Sequence, residues 1–350
     1  MENIMITQKT NEFLLRALNT SRFALYTFEG FPIHIVRNVF GIHKKPKNTS
    51  LSEFIRILIL ELKHMLEEDI KNINENIYFK DLIYPENPIT HAKRYFNILI
   101  DSLNSSMRAK NNEYQKFSKN VKDDINSYPK YYRRNFHFQT DGYLSKKSAE
   151  LYAHQTEILF KGTLGLSRRL LLAPLLKHIQ NQKKQLKILE IGCGSGESTQ
   201  ILLNSCKNVS ITAIDLSKAY IEYGKEKMMK YSNVDFIKMD GTNLSALQNK
   251  YDIVFSVYLF HELPEKERFK IIESCYNVLN PKGIMFHIDS IQMDDVPKYN
   301  WAIQNFPLNF HEPFYMNYIK NPLLNIIKNY DFKDLETQIR FLSKSILCHN

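Results

Sequence analysis

The sequence is poor in cysteine and has no long apolar run. Its 350 residues include only four cysteines, none in a Cys-x-x-Cys pair or beside histidine at a zinc-ligand spacing. This argues against a disulfide scaffold, gives no reason to predict a metal site and fits a reducing cytoplasm. The apolar stretches are far shorter than the roughly 20 residues of a membrane span. The first residues lack the basic start and apolar run of a signal peptide.

The basic excess of the chain is confined to its first half. The formal net charge is +10, but residues 1–185 carry 29 Lys and Arg against 18 Asp and Glu, whereas residues 186–350 carry 18 against 19. Residues 101–185 alone have a net charge of +9. A basic segment can bind nucleic acid, an anionic surface or only water, so the total charge does not identify a partner.

Residues 1–125 are predicted to form a mostly helical module. Residues 51–77 place apolar side chains at spacings of three and four, with charged residues between them, which predicts a long amphipathic helix. Residues 28–36 are ambiguous between a short strand and a loop. The module could cover an active site, mediate a dimer or recruit a partner.

Residues 126–350 have the pattern of an α/β domain. Residues 126–185 are a basic, aromatic segment with helices predicted near 146–160 and 163–180. Within 186–350, short apolar runs then alternate with amphipathic stretches of 10–15 residues, and the end of the chain, 332–348, indicates two strands. This alternation predicts βαβ units and a parallel sheet with helices on both faces.

The strongest motif is a glycine-rich turn between a strand and a helix, Leu-Glu-Ile-Gly-Cys-Gly-Ser-Gly-Glu at 189–197. Its glycines allow a sharp turn and let a ligand approach the backbone. The spacing is GxGxG, not the GxGxxG of dinucleotide sites, and the carboxylate of Glu197 would repel a pyrophosphate. The turn therefore predicts a ligand without phosphates, and Glu190 at the strand end suits a cationic amino group.

Two further acidic residues follow the next two apolar runs. Asp215 ends the first of them, 19 residues after Gly196, where an acidic residue can accept hydrogen bonds from both ribose hydroxyls. Asp240 ends the second of these apolar runs and can accept a hydrogen bond from the exocyclic amine of an adenine. The carboxyl ends of parallel strands share one edge of a sheet, so these residues are expected to lie near the glycine turn.

This constellation resembles the class I S-adenosylmethionine-dependent methyltransferases, over residues 127–350. The resemblance implies a Rossmann-like, mostly parallel sheet of about seven strands with the last strand antiparallel, and S-adenosyl-L-methionine as the cofactor. It places Glu190 and the glycines at the methionine part, Asp215 at the ribose and Asp240 at the adenine. The predicted cofactor-binding residues are Glu190, Gly192, Cys193, Gly194, Ser195, Gly196, Asp215, Leu216, Asp240, Gly241, Ser256 and Tyr258. A Rossmann-like domain that does not methylate is the alternative.

The segment Ser-Val-Tyr-Leu-Phe-His-Glu-Leu-Pro at 256–264 is expected beside the transferred methyl group. It lacks the Asn/Asp-Pro-Pro-Tyr/Phe pattern of enzymes that methylate amino groups, and it resembles the small-molecule branch of ubiquinone/menaquinone-biosynthesis-type methyltransferases. His261 is the predicted base because imidazole titrates near neutral pH, and Glu262 orients it or serves as the base. A histidine that merely packs the loop is the equal alternative.

Other segments resemble an uncharacterised bacterial branch of that group, namely 135–145, 283–289 and 310–315. The predicted substrate-binding residues are His137, Tyr143, Asp289, His311 and Tyr315. Each has a structural alternative, such as packing in an aromatic cluster or capping a turn.

Three functions remain open. The favoured one is methylation of oxygen or carbon in a small apolar or aromatic acceptor. The second is an RNA methyltransferase that uses the basic segment 101–185, although no RNA-binding motif is present. The third is a protein methyltransferase or a partner-binding protein with residues 1–125 as the recruiting module.

Overall fold

A seven-stranded sheet forms the centre of the fold. The computed structural model describes residues 2–42, 51–80 and 86–350. The strands are β1 (Leu186–Ile191), β2 (Val209–Asp215), β3 (Val234–Lys238), β4 (Tyr251–Val257), β5 (Leu279–Ser290), β6 (Lys333–Arg340) and β7 (Ser343–His349). Their order is β3-β2-β1-β4-β5-β7-β6, and β7 runs antiparallel to both of its neighbours. The predicted Rossmann-like sheet with an antiparallel last strand is confirmed.

Helices cover both faces of this sheet and precede it. Those before the sheet are α1 (Glu2–Val39), α2 (Leu51–Asn74), α3 (Pro88–Asn111), α4 (Lys119–Lys122), α5 (Lys146–Leu159) and α6 (Thr163–Gln180). Those after β1 are α7 (Glu197–Ser205), α8 (Lys218–Lys227), α9 (Glu265–Val278), α10 (Asn300–Asn309), α11 (Tyr315–Lys320) and α12 (Leu323–Ile327). Short 3₁₀ turns at Ile125–Ser127, Phe136–Phe138, Gly241–Leu247, Phe260–Glu262 and Pro297–Tyr299 join some of them.

The strands supply two core layers because successive side chains point to opposite faces. On β4, Val254 packs in the layer that contains Ile271 of α9, and Phe255 packs in the layer that contains Leu202 of α7. All four side chains are buried. Strands buried on both faces read as continuous apolar runs, which is why the sequence shows them clearly.

Residues 28–36 are neither strand nor loop, because they lie inside α1. Pro32 removes one backbone donor there, yet the helix continues through it. Tertiary contacts hold the segment: Ile33 packs against buried Ile98 and Ile158, and the Glu29 carboxylate accepts from His154. A segment of ambiguous local preference thus adopts the conformation that its neighbours stabilise.

The N-terminal helices pack directly on the methyltransferase-like part of the chain. α2 lies against α6, and α1 and α3 both contact α5. A boundary at residue 125 remains a prediction, since contacts cross it throughout. Among the described residues, no helix is both long enough and apolar enough to cross a membrane.

Candidate active site

The carboxyl ends of β1, β2 and β4 open onto a cleft, here named the strand-end cleft. It lies where β1 pairs with β2 on one side and β4 on the other, the point at which open α/β sheets bind ligands. Most predicted cofactor-binding residues line it, namely Glu190, Gly192, Cys193, Gly194, Asp215, Leu216, Asp240, Gly241 and Tyr258. A group of aromatic side chains forms the opposite wall, comprising Tyr131, Tyr132, Phe136, Tyr143 and Tyr152.

The glycine turn leaves room for a ligand at one position only. Gly194 has a φ of +55°, and a Cβ there would meet nothing closer than Tyr220 at 3.9 Å. Gly196 has a φ of +83°, but a Cβ there would come within 2.4 Å of the Met228 side chain. Gly196 is therefore required for packing as well as for its backbone angle, whereas Gly194 faces open space.

Asp215 is fixed by the turn that it faces. One carboxylate oxygen accepts from Gly194 N–H at 2.9 Å and the other from Ser217 N–H at 2.7 Å. Burial raises its pKa, and the backbone donors oppose that shift. The geometry places an acceptor group in the cleft with its orientation set before any ligand enters.

Asp240 has a similar local support. Its Oδ1 accepts from the backbone N–H and the hydroxyl of Thr242, at 2.9 and 2.8 Å. This caps the 3₁₀ turn that begins at Gly241. The strand ends thus bring Asp215 and Asp240 together in one cleft, as the strand pattern predicts.

Glu190 is the buried carboxylate of the cleft. Its carboxylate accepts from the Thr199 hydroxyl, and burial raises its pKa to about 8. Glu197, in contrast, accepts from Lys227 and Ser195, and its pKa is lowered because these partners and Arg168 outweigh its burial. The two glutamates of the motif therefore differ in charge near neutral pH.

Arg168 is a cleft residue that sequence reasoning missed, since it counted only as part of the basic segment. It lies on α6, and its guanidinium is 5.6 Å from the centre of the Tyr258 ring. Its Nε has no hydrogen-bond partner. Its charge favours the ionised form of Glu190. No local motif marks it, because its place in the cleft depends on how α6 packs on the sheet.

Three predicted cofactor residues do not line the strand-end cleft within the described part of the chain, namely Ser195, Gly196 and Ser256. Ser195 donates to Glu197, and Ser256 lies 2.8 Å from His287 Nδ1, fully buried beneath the sheet edge. Their cofactor role stays a prediction without support from their position.

Three side chains meet beside the strand-end cleft in what is here named the carboxylate cluster: His137, Glu262 and Glu312. His137 Nδ1 lies 2.6 Å from Glu312 Oε1, and His137 Nε2 lies 3.3 Å from Glu262 Oε1. Tyr143 donates its hydroxyl to Glu262 Oε1 at 2.6 Å. The predicted residues His137, Tyr143 and Glu262 are thus brought together, and Glu312 joins them from the segment before α11.

The pKa values of the three side chains in the carboxylate cluster depend on one another's charges. Burial lowers the pKa of His137, but the Glu312 and Glu262 carboxylates outweigh it and raise that pKa to about 10. Burial and the nearby Glu262 charge raise the pKa of Glu312. Burial acts to raise the pKa of Glu262 too, but its contacts with His137 and His261 lower it on balance.

His261 is held by a carboxylate from the neighbouring strand. Its Nδ1 lies 2.6 Å from Asp289 Oδ1, and its Nε2 lies 3.7 Å from Glu262. Asp289 also accepts from the backbone N–H of Phe260 at 2.7 Å. Burial lowers the pKa of His261, but Asp289, together with Glu262 and Glu312, raises it to about 9. Asp289 therefore orients the histidine and caps its turn.

His311 points away from this centre. Its ring stacks on Tyr114 with centroids 4.7 Å apart and contacts Phe138, and burial lowers its pKa to about 4. Only its backbone takes part, since its carbonyl accepts from His137 N–H at 3.2 Å. Of the sequence pair His-Glu at 311–312, it is therefore Glu312 whose side chain reaches the carboxylate cluster.

Backbone strain accompanies the site. His137 and Tyr258 both have positive φ, at 55° and 57°. Such angles cost about 1–3 kcal/mol in residues other than glycine and persist where surrounding contacts impose them. Both side chains face the cavities described here.

Two cavities lead from the cleft to the N-terminal helices. The inner cavity, of about 90 Å³, lies beside His261, Glu262 and Tyr315, whose hydroxyl is 2.7 Å from Ser290. The outer cavity, of about 700 Å³, is lined by residues of α1, α3 and α5, among them Gly30 and Ile98. His137, Tyr152, Thr156 and Leu159 line both cavities, and Glu262 lines both the cleft and the inner cavity. The N-terminal helices α1 and α3 therefore form part of the wall of the outer cavity.

Many charges of the basic segment 101–185 are already engaged within the molecule. Arg169 and Arg108 are buried and bonded, the first to Asp69 and the second to the Phe138 carbonyl. Pairs with acidic residues also occupy Lys146, Lys177 and Lys184. These five basic side chains therefore have partners within the molecule.

Part of this chain is similar to known methyltransferase domains. Residues 188–283 match a family described as "Methyltransferase domain". Malonyl-[acyl-carrier protein] O-methyltransferase 1 of Ilyobacter polytropus is 34% identical over 105 residues, which is 30% of this chain and 38% of that relative. Fatty-acid O-methyltransferase of Mycolicibacterium smegmatis is 25% identical over 122 residues, 35% of this chain and 43% of that relative. The aligned part spans less than half of either relative.

Solved structures of similar proteins include an O-methyltransferase family protein from Burkholderia thailandensis. It has 12% identity and a TM-score of 0.43, and the match covers 58% of this chain and 62% of that one. The family match lies within the predicted domain of residues 126–350, whose bounds remain a prediction, and the strand order confirms the predicted sheet.

Proposed function

We propose that this chain is an S-adenosylmethionine-dependent methyltransferase that methylates oxygen or carbon in a small acceptor with an apolar or aromatic body. The observation that carries the proposal is the convergence of the Gly194 turn, Asp215 and Asp240 in one cleft, with His261 and Glu262 at its inner end. The match to methyltransferase domains supports it.

The residues of the cleft fit the parts of this cofactor. The open space at Gly194 and the buried Glu190 carboxylate suit the methionine end, with Glu190 facing the ammonium. Arg168, on the same wall, supplies a cation for the methionine carboxylate. Asp215 would accept from the ribose hydroxyls and Asp240 from the adenine amine.

The bound cofactor supplies an electrophilic methyl group, so the chain's residues contribute chiefly position and proton transfer. The aromatic wall excludes water from the cleft. The Glu262 carboxylate, whose pKa is lowered, takes the proton that leaves an alcohol or an acidic carbon. His261, oriented by Asp289, takes it in its neutral form, which prevails above its pKa of about 9. Both side chains lie at the junction with the inner cavity. With the cofactor bound, the acceptor atom would take the methyl group as its proton passes to the base, and S-adenosylhomocysteine would be the product.

The acceptor is proposed to extend into the outer cavity. A volume of about 700 Å³, walled by α1 and α3, accommodates an acyl chain or an aromatic system. The names of the relatives given above, a fatty-acid and a malonyl-carrier O-methyltransferase, favour an acyl acceptor. The resemblance to the ubiquinone/menaquinone-type branch keeps aromatic acceptors in the same proposal.

The test has two stages. Calorimetry of the purified chain with S-adenosylhomocysteine is expected to show one site per chain, and absence of binding would contradict the cofactor assignment. Release of S-adenosylhomocysteine is then measured with a panel of fatty acids of graded length, acyl thioesters and phenols. Turnover that rises with chain length or ring size supports binding of the acceptor in the outer cavity. Turnover with RNA alone would contradict the small acceptor.

A further inference from the structure

We propose that the carboxylate cluster, His137, Glu262 and Glu312, binds a divalent first-row transition-metal ion beside the methyl acceptor. Binding of the ion stands on the cluster alone, whereas its part in the reaction rests on the proposed methyltransferase function. No local pattern predicts this site, because the three ligands come from separate segments, the outermost two 175 residues apart.

The donor atoms are close enough for one ion to reach all three. One imidazole nitrogen and two carboxylate oxygens lie within 4.8 Å of one another. Bonds of about 2.0–2.2 Å from zinc to nitrogen or oxygen place donors roughly 3–4 Å apart. Small side-chain rotations therefore convert the observed contacts into coordination.

Each carboxylate of the cluster keeps one buried oxygen without a partner. The Glu312 side chain is 0% exposed; its Oε1 lies 2.6 Å from His137 Nδ1, whereas its Oε2 has no hydrogen-bond partner. Oε2 of Glu262 is also buried without such a partner. A buried carboxylate oxygen without a partner is costly, at about several kilocalories per mole by order of magnitude, and a cation between the two carboxylates removes that cost.

A second cluster provides a contrast within the same chain. Glu29, His91 and His154 also lie close together, but each Glu29 oxygen is already bonded to an imidazole, at 2.6 and 2.8 Å. That carboxylate stabilises the packing of α1 on α3 and α5 and has no free oxygen for an ion. Only the carboxylate cluster combines close donors with unpartnered buried oxygens, among the described residues.

The donor set determines the class of ion. Two carboxylates and one imidazole suit Mn²⁺, Fe²⁺ or Zn²⁺, whereas Mg²⁺ and Ca²⁺ prefer oxygen alone. Three protein ligands leave positions open for an exogenous oxygen, as in catalytic zinc sites. Since Glu262 faces both the cleft and the inner cavity, that oxygen belongs to the acceptor. The ion thus selects acceptors with an anionic oxygen, such as a carboxylate, an enolate or a phenolate.

The experiment measures metal binding without turnover. The full chain is stripped with EDTA and titrated with Mn²⁺, followed by electron paramagnetic resonance of the free ion, and with Zn²⁺ by calorimetry. One ion per chain is expected, with the affinity falling at least tenfold in Glu312→Gln and in His137→Gln. The matched control is Glu265→Gln, an exposed glutamate of α9 that should bind Mn²⁺ like the parent.

The outcomes separate the metal site from the proposed function. Absence of binding, or equal binding by the parent and both cluster variants, overturns the metal site. Loss of binding in Glu29→Gln but not in Glu312→Gln assigns the ion to the second cluster and also overturns it. Circular dichroism and S-adenosylhomocysteine binding are measured on each variant, and a variant that fails both is replaced by Glu262→Gln. A chain that binds Mn²⁺ but not S-adenosylhomocysteine retains the metal site and refutes the methyltransferase proposal.

Discussion

Arg169 of α6 and Asp69 of α2 form a buried two-point ion pair. The Nε and Nη2 atoms of the guanidinium lie 3.0 and 2.8 Å from the two carboxylate oxygens. Tyr78 donates its hydroxyl to the same carboxylate at 2.7 Å, and Asn19 of α1 donates to it at 3.1 Å. One acidic residue thus joins two N-terminal helices to the layer that covers the sheet.

Replacing Asp69 by alanine is expected to lower the free energy of unfolding by about 3–5 kcal/mol, because Arg169 would remain buried without its partner. Urea unfolding followed by circular dichroism measures this. The control is Glu75→Gln, which removes the exposed contact with Lys177 and should cost less than about 1 kcal/mol. Equal losses of unfolding free energy in the two variants would show that the buried pair stabilises the fold no more than the exposed one.

Replacing Asp215 by alanine is expected to abolish detectable binding of S-adenosylhomocysteine without unfolding the chain. The variant loses the proposed ribose acceptor and the contact that fixes Gly194. Calorimetry measures the binding, and Asp235→Ala, an exposed position on β3, serves as the control. Unchanged affinity in the Asp215 variant would contradict the cofactor assignment.

Cofactor affinity should rise with pH because Glu190 must ionise to face an ammonium. With its pKa near 8, most ligand-free molecules hold a neutral carboxyl at pH 7. Binding to the carboxylate form then releases a proton, so affinity grows up to about tenfold per pH unit below pH 8 and levels off above it.

Calorimetry between pH 6.5 and 8.5, in buffers of different ionisation enthalpy, counts the released protons. In Glu190→Gln the affinity should be weaker and its dependence on pH largely lost. An unchanged proton count in that variant would assign the titration to another group.

Replacing Arg168 by methionine keeps the apolar stem and removes the charge. The affinity for S-adenosylhomocysteine should fall about 10- to 100-fold, which corresponds to a hydrogen bond to a charged group. Lys147→Met, an exposed position on α5, should bind normally. A normal affinity in the Arg168 variant would leave the methionine carboxylate to another donor.

Replacing His261 by alanine is expected to leave S-adenosylhomocysteine binding intact and to lower turnover by about 10²–10⁴-fold, the usual contribution of a positioned acid or base. Release of S-adenosylhomocysteine with the acceptor found in the panel measures this. Asp289→Asn should show a smaller loss, since it weakens the orientation of the ring but keeps the imidazole. Full turnover in His261→Ala would leave Glu262 as the base.

The sequence predicts what local patterns encode. Buried parallel strands read as apolar runs, and the glycine turn with Asp215 and Asp240 marks the cleft, because each lies at a strand end. Residues 28–36 could not be assigned, since their helix depends on Glu29 and Ile33 meeting α3 and α5.

Site residues that depend on contacts between distant segments could not be predicted from the sequence either. Arg168 appeared only as one basic residue among many, and Glu312 stood beside the more conspicuous His311. Neither motif nor periodicity reports which of two adjacent side chains turns inward. That choice depends on the packing of His311 between Tyr114 and Phe138.

The place of β7 in the sheet has a consequence for synthesis on the ribosome. Since β7 lies between β5 and β6, a nascent chain without residues 343–349 presents β5 as an open edge and leaves β6 unpaired. Arg340 of β6 also makes a two-point contact with Glu68 of α2, at 2.6 and 2.7 Å. This contact of α2 therefore forms only after β6 has been synthesised. Folding of the sheet is therefore completed only after β7 has been synthesised, and until then the exposed edge is a site for chaperones or for aggregation.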